Sequence, residues 1–158
     1  MGGTLVYFAL LDPIGDTLRP TGGRDVKAES SIERALRQFA PRTTVLQRRA
    51  LYALRNAFAH EFRLVNINRR RPEYTFTFAV NDDVTAPLVR WGARRWDGSL
   101  NSTAKKTRTV VGLPAVGDLC ESVVRSVRQH SNSVRLRSRV EVDELQRRFA
   151  FRVTEQLD

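Results

Sequence analysis

The chain has 158 residues, 41% of them hydrophobic, which suits one globular domain with a buried core and excludes a wholly disordered chain. Its formal net charge of +10 excludes an acidic surface and favours polyanionic partners, of which nucleic acid is the commonest in cells. Only Lys27, Lys105 and Lys106 are lysines, so arginine carries nearly all the positive charge, and its planar fork suits bidentate contact with phosphate and stacking on bases.

Cys120 is the single cysteine, so no intramolecular disulfide is available and a reducing, cytoplasmic setting is expected. Beside Leu119, Val123 and Val124 it reads as a small apolar packing residue. No stretch approaches the ~18 apolar residues of a membrane span, so no membrane partner is expected. The apolar opening segment lacks a basic leader, and Asp12-Pro13 stands where a signal cleavage site needs small residues.

Residues 4–18 are densely apolar and predict a helix kinked or broken near Pro13. Pro20-Thr21-Gly22-Gly23 marks a loop. Ser30 precedes Glu33 by three, the spacing of a capping box, and Ile32, Ala35, Leu36 and Phe39 follow at helical intervals. Pro41 suits the first turn of a further helix. That helix, over residues 42–65, has the clearest pattern. Leu51, Leu54, Phe58, Phe62 and Val65 fall within an arc of roughly 80° at about 100° per residue. Its other side carries Ala50, Ala53 and Ala57 beside Asn56 and His60, small residues that let a second helix approach.

Residues 67–112 change character. Tyr74-Thr75-Phe76-Thr77-Phe78 alternates with the period of a strand, and residues 88–91 and 108–111 read as further short strands. Asn81-Asp82-Asp83 and Asp97-Gly98 are turn signals between them. This stretch reads as a β-rich insertion within one domain spanning residues 1–158. Pro114 opens a helix with Val116, Leu119, Cys120, Val123, Val124 and Val127 as its stripe, and a last helix is expected over residues 142–156. Residues 134–140 alternate arginine with apolar side chains, the pattern of a short strand or of an irregular basic edge.

The 42–65 helix holds Leu54-Arg55-Asn56-Ala57-Phe58-Ala59-His60-Glu61-Phe62. Arg, a polar residue, three residues and then His resembles the Arg-x4-His signature of the HEPN superfamily. The opening segment Phe8-Ala9-Leu10-Leu11-Asp12-Pro13-Ile14-Gly15 resembles that family too. Arg125-Ser126-Val127-Arg128-Gln129-His130 repeats the spacing, but it lacks the Asn and lies where the helical pattern fails. The resemblance implies a mainly α, HEPN-like helical bundle with the β-insertion at about 67–112. It implies an endoribonuclease acting without a metal or other cofactor and leaving 2′,3′-cyclic phosphate and 5′-hydroxyl ends. It also implies a site shared by a homodimer, placed here on the alanine-lined face of the 42–65 helix. By family analogy the setting is a toxin or antiviral defence, with an antitoxin protein as a further partner.

Elementary chemistry is compatible with those roles. Attack by a ribose 2′-hydroxyl needs a base, a proton donor for the leaving oxygen and positive charge on the phosphorane. His60 suits either proton transfer, Arg55 the charge, and Asn56, four residues before His60, the positioning of the imidazole or the substrate. No Cys/His cluster of metal-site spacing stands in the sequence. Arg69, Arg70 and Arg71, with Arg94 and Arg95 between Trp91 and Trp96, are expected to hold RNA, the arginines on phosphates and the tryptophans either under bases or packed in the fold. The rival reading is a non-catalytic module that binds RNA or a protein. A DNA-binding regulator is disfavoured, because no helix-turn-helix pair with a recognition helix stands out.

Overall fold

The computed structural model describes residues 2–22, 26, 29–61, 64–99, 105–129 and 134–136; for residues 2–5, 60, 61, 105 and 134–136 it describes the backbone alone. Helix α1 spans Gly2–Thr17 and runs through Pro13 without a break. Proline removes one N–H, but Ala9, whose carbonyl loses that donor, is exposed to water. Thr17 closes the helix by donating from Oγ1 to the Pro13 carbonyl at 2.6 Å. Strand β1, Leu18–Pro20, follows and pairs antiparallel with β6, Val134–Leu136, so the basic alternation after residue 133 includes a short strand.

Helix α2, Ser31–Phe39, begins at the expected capping box. Ser30 accepts from the Glu33 N–H through its hydroxyl, and the Glu33 carboxylate accepts from the Ser30 N–H. α1 meets α2 so closely at Gly15 that a Cβ there would overlap the Ser31 carbonyl. Arg34 locks the crossing, donating to the Gly15 carbonyl at 3.1 Å and to the Asp16 carboxylate at 2.7 Å.

Helix α3 spans Val45–Asn56, shorter at both ends than the pattern over 42–65 suggests. Pro41 lies in a turn before it, because a second capping box takes the N-terminus: Thr44 accepts from the Gln47 N–H and the Gln47 side chain accepts from the Thr44 N–H. At the far end the Ala57 N–H is shared between the Ala53 and Leu54 carbonyls, and the chain opens into a π turn over Ala57–Glu61. By Val65 it is already a strand, β2, Val65–Asn66.

Pro72 then starts a 3-10 turn, Pro72–Tyr74, so the strand expected from residue 74 begins at Phe76. The ring presets φ for the turn and swings Tyr74 into the interior, where it is 1% exposed. Strands β3 (Phe76–Asn81), β4 (Val89–Arg90) and β5 (Thr109–Gly112) follow. Asn81 and Asp83 side chains accept backbone N–H groups two residues on, making the turn their composition signals. The sheet order is β2-β3-β5-β4, with β3 and β5 parallel and the outer pairs antiparallel. Gly112 leads directly into α4, Leu113–Gln129, with Pro114 in its first turn.

The expectation of a mainly α bundle is overturned. Among the described residues, four helices and a four-stranded mixed sheet share one core, and the strands are not an appendage to it. Phe76, Phe78 and Val111 from the sheet pack in the same buried cluster as Phe8, Leu11, Leu36, Leu51, Leu54 and Val116 from the helices. The 67–112 stretch therefore contributes to the main interior, because a sheet with apolar residues on one face needs helices to cover them. The expected helix over 142–156 lies outside the described residues. Among the described residues no helix is long and apolar enough to cross a membrane.

A buried carboxylate joins the two layers. Glu33 is 3% exposed and accepts from the Tyr74 hydroxyl at 2.8 and 3.0 Å and from the Ser30 hydroxyl at 2.8 Å. Tyr74→Phe removes one of these donors and is expected to lower the unfolding free energy by about 1–3 kcal/mol, read from denaturant titration. Burial, and the Glu33 carboxylate that takes its hydrogen bond, push the Tyr74 hydroxyl up from 10.0 to about 12. The folded chain holds this proton where the unfolded chain releases it. The contribution is thus present below pH 10 and lost as pH rises through about 12. Stability measured across that window should fall more steeply for the parent chain than for Tyr74→Phe.

Candidate functional site

Arg55 and Asn56 are the last two residues of α3, both half-buried. The Arg55 guanidinium reaches across to α1, where Nη2 lies 2.7 Å from Asp12 Oδ2. Its Nη1 donates to Asn56 Oδ1 at 3.1 Å. The side chains of Arg55 and Asp12 are 30% and 23% exposed, so the pair sits at the surface with N–H edges still open to a ligand. Asp12 is a member of this site that the motif did not single out. It stands in the opening segment quoted above, but nothing there pairs it with Arg55; the two meet because α1 and α3 both pack against α2.

The expected partnership of Asn56 with His60 depends on the i,i+4 stripe of an α-helix. The π turn over Ala57–Glu61 replaces that ladder with i→i+5 bonds, and Asn56 instead accepts from Arg55. His60 lies within the π turn, its backbone described and its side chain not. π turns inside helices recur at functional sites. The second match places Arg125 exposed on α4, while His130 lies outside the described residues.

The alanine stripe is not an open face. Ala50 and Ala53 are fully buried and Ala57 is 1% exposed, all within the single chain. The close approach that small residues permit is used by the chain's own core, so the expected dimer contact through these alanines finds no free surface.

The three arginines after β2 divide. Arg69 and Arg70 are exposed in a bend. Arg71 is drawn inward: Nη2 donates to the Tyr74 hydroxyl at 2.7 Å, Nε lies 3.3 Å from Glu73 Oε1, and the guanidinium carbon stands 4.3 Å from the Tyr74 ring centroid. Its fork is largely engaged in holding the 3-10 turn. The adjacent Glu73 carboxyl is lowered by a backbone hydrogen bond and by Arg71 beside it, so it is an anion at neutral pH.

The tryptophans divide as well. Trp96 is 3% exposed, and its indole N–H donates to the Ser99 carbonyl at 3.0 Å. Trp91 is 40% exposed. It lines a groove of about 310 Å³ together with Leu46 and Arg49 from α3, Phe76 from β3, and Arg94 and Arg95. Arg95 is tethered through a 2.6 Å bond to the Pro72 carbonyl. Gly92 lets this wall lie against the chain before β5, since a Cβ there would come within 2.6 Å of the Lys106 carbonyl. Arg49, which sequence reading passed over, enters the groove because it is one α3 residue turned toward the sheet.

Cys120 is fully buried, as its neighbours suggest, and burial pushes its thiol up to about 12, so it is no nucleophile near neutrality. Among the described residues no three His, Cys, Asp or Glu side chains cluster as metal ligands.

The Asp12–Arg55 pair is partly solvated, and exposed pairs contribute little to folding. Asp12→Asn is therefore expected to change stability by no more than about 1 kcal/mol, measured by the denaturant midpoint. A much larger loss would show that the pair is a structural clamp and not an open site. No family model, curated protein or solved structure matches the chain, so the likeness to the HEPN signature rests on the residues themselves.

Proposed function

We propose that this chain is a HEPN-type endoribonuclease that cleaves RNA by 2′-hydroxyl attack without a metal ion, in a toxin or defence setting. The observation that carries the reading is the pairing of Arg55 with Asn56, both partly exposed, at the point where α3 gives way to the π turn that contains His60. His60 takes the 2′-hydroxyl proton or protonates the leaving 5′-oxygen. The 2′-oxygen bonds to phosphorus as the bond to the 5′-oxygen breaks, leaving a cyclic phosphate and a 5′-hydroxyl. Arg55 offsets the charge of the phosphorane through the N–H groups that Asp12 and Asn56 do not use. Asp12 holds the guanidinium in place and lets it exchange carboxylate for phosphate. Two proton transfers need two groups, and a second copy of the chain supplies the second His60. That contact uses a surface other than the buried alanines.

One observation favours the second reading, a module that binds RNA without cutting it. The Arg55 charge is already met by Asp12 at 2.7 Å, which opposes an incoming phosphate.

The test is incubation of mixed RNA with the purified chain in excess EDTA, beside His60→Ala and Arg55→Ala. The nuclease reading expects cleavage with 2′,3′-cyclic phosphate ends, and a fall of about 10²–10⁴-fold in rate for His60→Ala. Identical RNA profiles with the parent chain and both variants leave the binding module as the better account. Cleavage that needs a divalent ion removes the metal-independent mechanism.

A further inference from the structure

We infer that the groove between α3 and the wall at residues 91–95 seats single-stranded RNA, with one unpaired base stacked on Trp91 and the adjoining phosphates held by Arg49 and Arg94. This deepens the RNA-directed reading above and rests on it, but it needs no cleavage.

Three observations converge. The first is the difference between the two tryptophans. Trp96 is sealed in and its N–H is bonded, whereas Trp91 is 40% exposed on a concave surface. A large exposed ring at the edge of a groove is what base stacking requires, and its π-face accepts any base. The second is charge. Arg49, Arg94 and Arg95 line the groove against a single carboxylate, Glu73, which is already bridged to Arg71 at 3.3 Å. Arg95 is partly committed to the Pro72 carbonyl, while among the described residues no carboxylate lies in ion-pair reach of Arg49 or Arg94. Positive charge beside an exposed indole is the pairing that tracks a nucleic-acid backbone while stacking its bases.

The third is size. About 310 Å³ lies at the small end of ligand sites and suits one base with its ribose. A duplex keeps its bases stacked inside and presents only their edges in its grooves, so it offers nothing of that shape. Arg49 also ties the groove to the candidate site. Arg49 and Asn56 lie seven residues apart on α3, about 20° apart around the helix and about 10 Å apart along it. A strand seated at Trp91 can thus pass toward Asn56 along the same helix.

The test uses the His60→Ala chain, so that the RNA stays intact, and a labelled single-stranded RNA oligonucleotide followed by fluorescence anisotropy. Quenching of intrinsic tryptophan emission is read in parallel. Trp91→Ala is expected to weaken binding by about 5–150-fold, the range that loss of one stacked base gives. Trp91→Phe should restore much of that affinity while losing the quench. Arg94→Ala should weaken binding and reduce the salt slope by about one. Trp91 is exposed, so the variants should fold, and circular dichroism checks that they do. The inference is overturned if Trp91→Ala binds as its parent does, or if duplex RNA or single-stranded DNA binds as tightly as single-stranded RNA. Binding that depends on Trp91 in a chain that never cleaves RNA would leave the groove standing and remove the nuclease. Cleavage with binding that ignores Trp91 would do the reverse.

Discussion

The buried carboxylate of Glu33 is the constraint on which the arrangement turns. A charge taken out of water costs several kcal/mol unless donors surround it, and here they come from two places in the chain. The Ser30 N–H and hydroxyl bind it from within the α2 cap, and the Tyr74 hydroxyl binds it from 41 residues away. One side chain thus starts a helix and anchors the turn from which β3 departs. Arg71 lies over the Tyr74 ring and Tyr52 meets that ring edge-on at 5.5 Å, so α3 is drawn into the same assembly. Once Tyr74 is held, Pro72 and Glu73 are placed too. They form the ledge to which Arg95 is tethered and along which the Trp91 groove opens.

Helix α3 carries most of what connects interior to surface. Ala50, Leu51, Ala53 and Leu54 are all without exposure, so the helix is gripped on a broad arc. What it leaves half-exposed is a short list of polar and aromatic side chains: Gln47, Arg49, Tyr52, Arg55 and Asn56. Side chains on a rigid, well-packed helix are positioned more exactly than loop residues, which suits recognition of a fixed geometry such as a phosphodiester. The π turn at its end widens the backbone where the motif continues to His60.

Local rules were the legible ones. The Ser30–Glu33 capping box, the Asn81 and Asp97 turns and the burial of Cys120 all follow from short-range chemistry, and each is present. The strands near residues 76–81, 89–90 and 109–112 were also legible, the first from alternation and the other two as short apolar runs set off by turn signals. Element ends were read less well: the Thr44 cap starts α3 three residues later than expected, and at the far end the apolar period runs on through Phe58 and Val65 although the α-helix has already given way to the π turn. The alanine stripe was legible as a close-contact face, but small residues do not say whose helix or strand fills the space beside them.

By itself the sequence determined the helical character of α1, α2, α4 and the Val45–Asn56 stretch, the extended stretches near β3, β4 and β5, the arginine-rich charge, and the Arg55, Asn56 and His60 spacing. These depend on side-chain types within a few residues of one another. Only the tertiary structure decided that the strands belong to the main core, that Asp12 meets Arg55, that Trp96 is sealed while Trp91 is open, and that Arg71 turns inward to Tyr74. Each of these joins residues far apart in the chain, and which partners meet is set by how apolar faces close over one another, a choice no local pattern encodes.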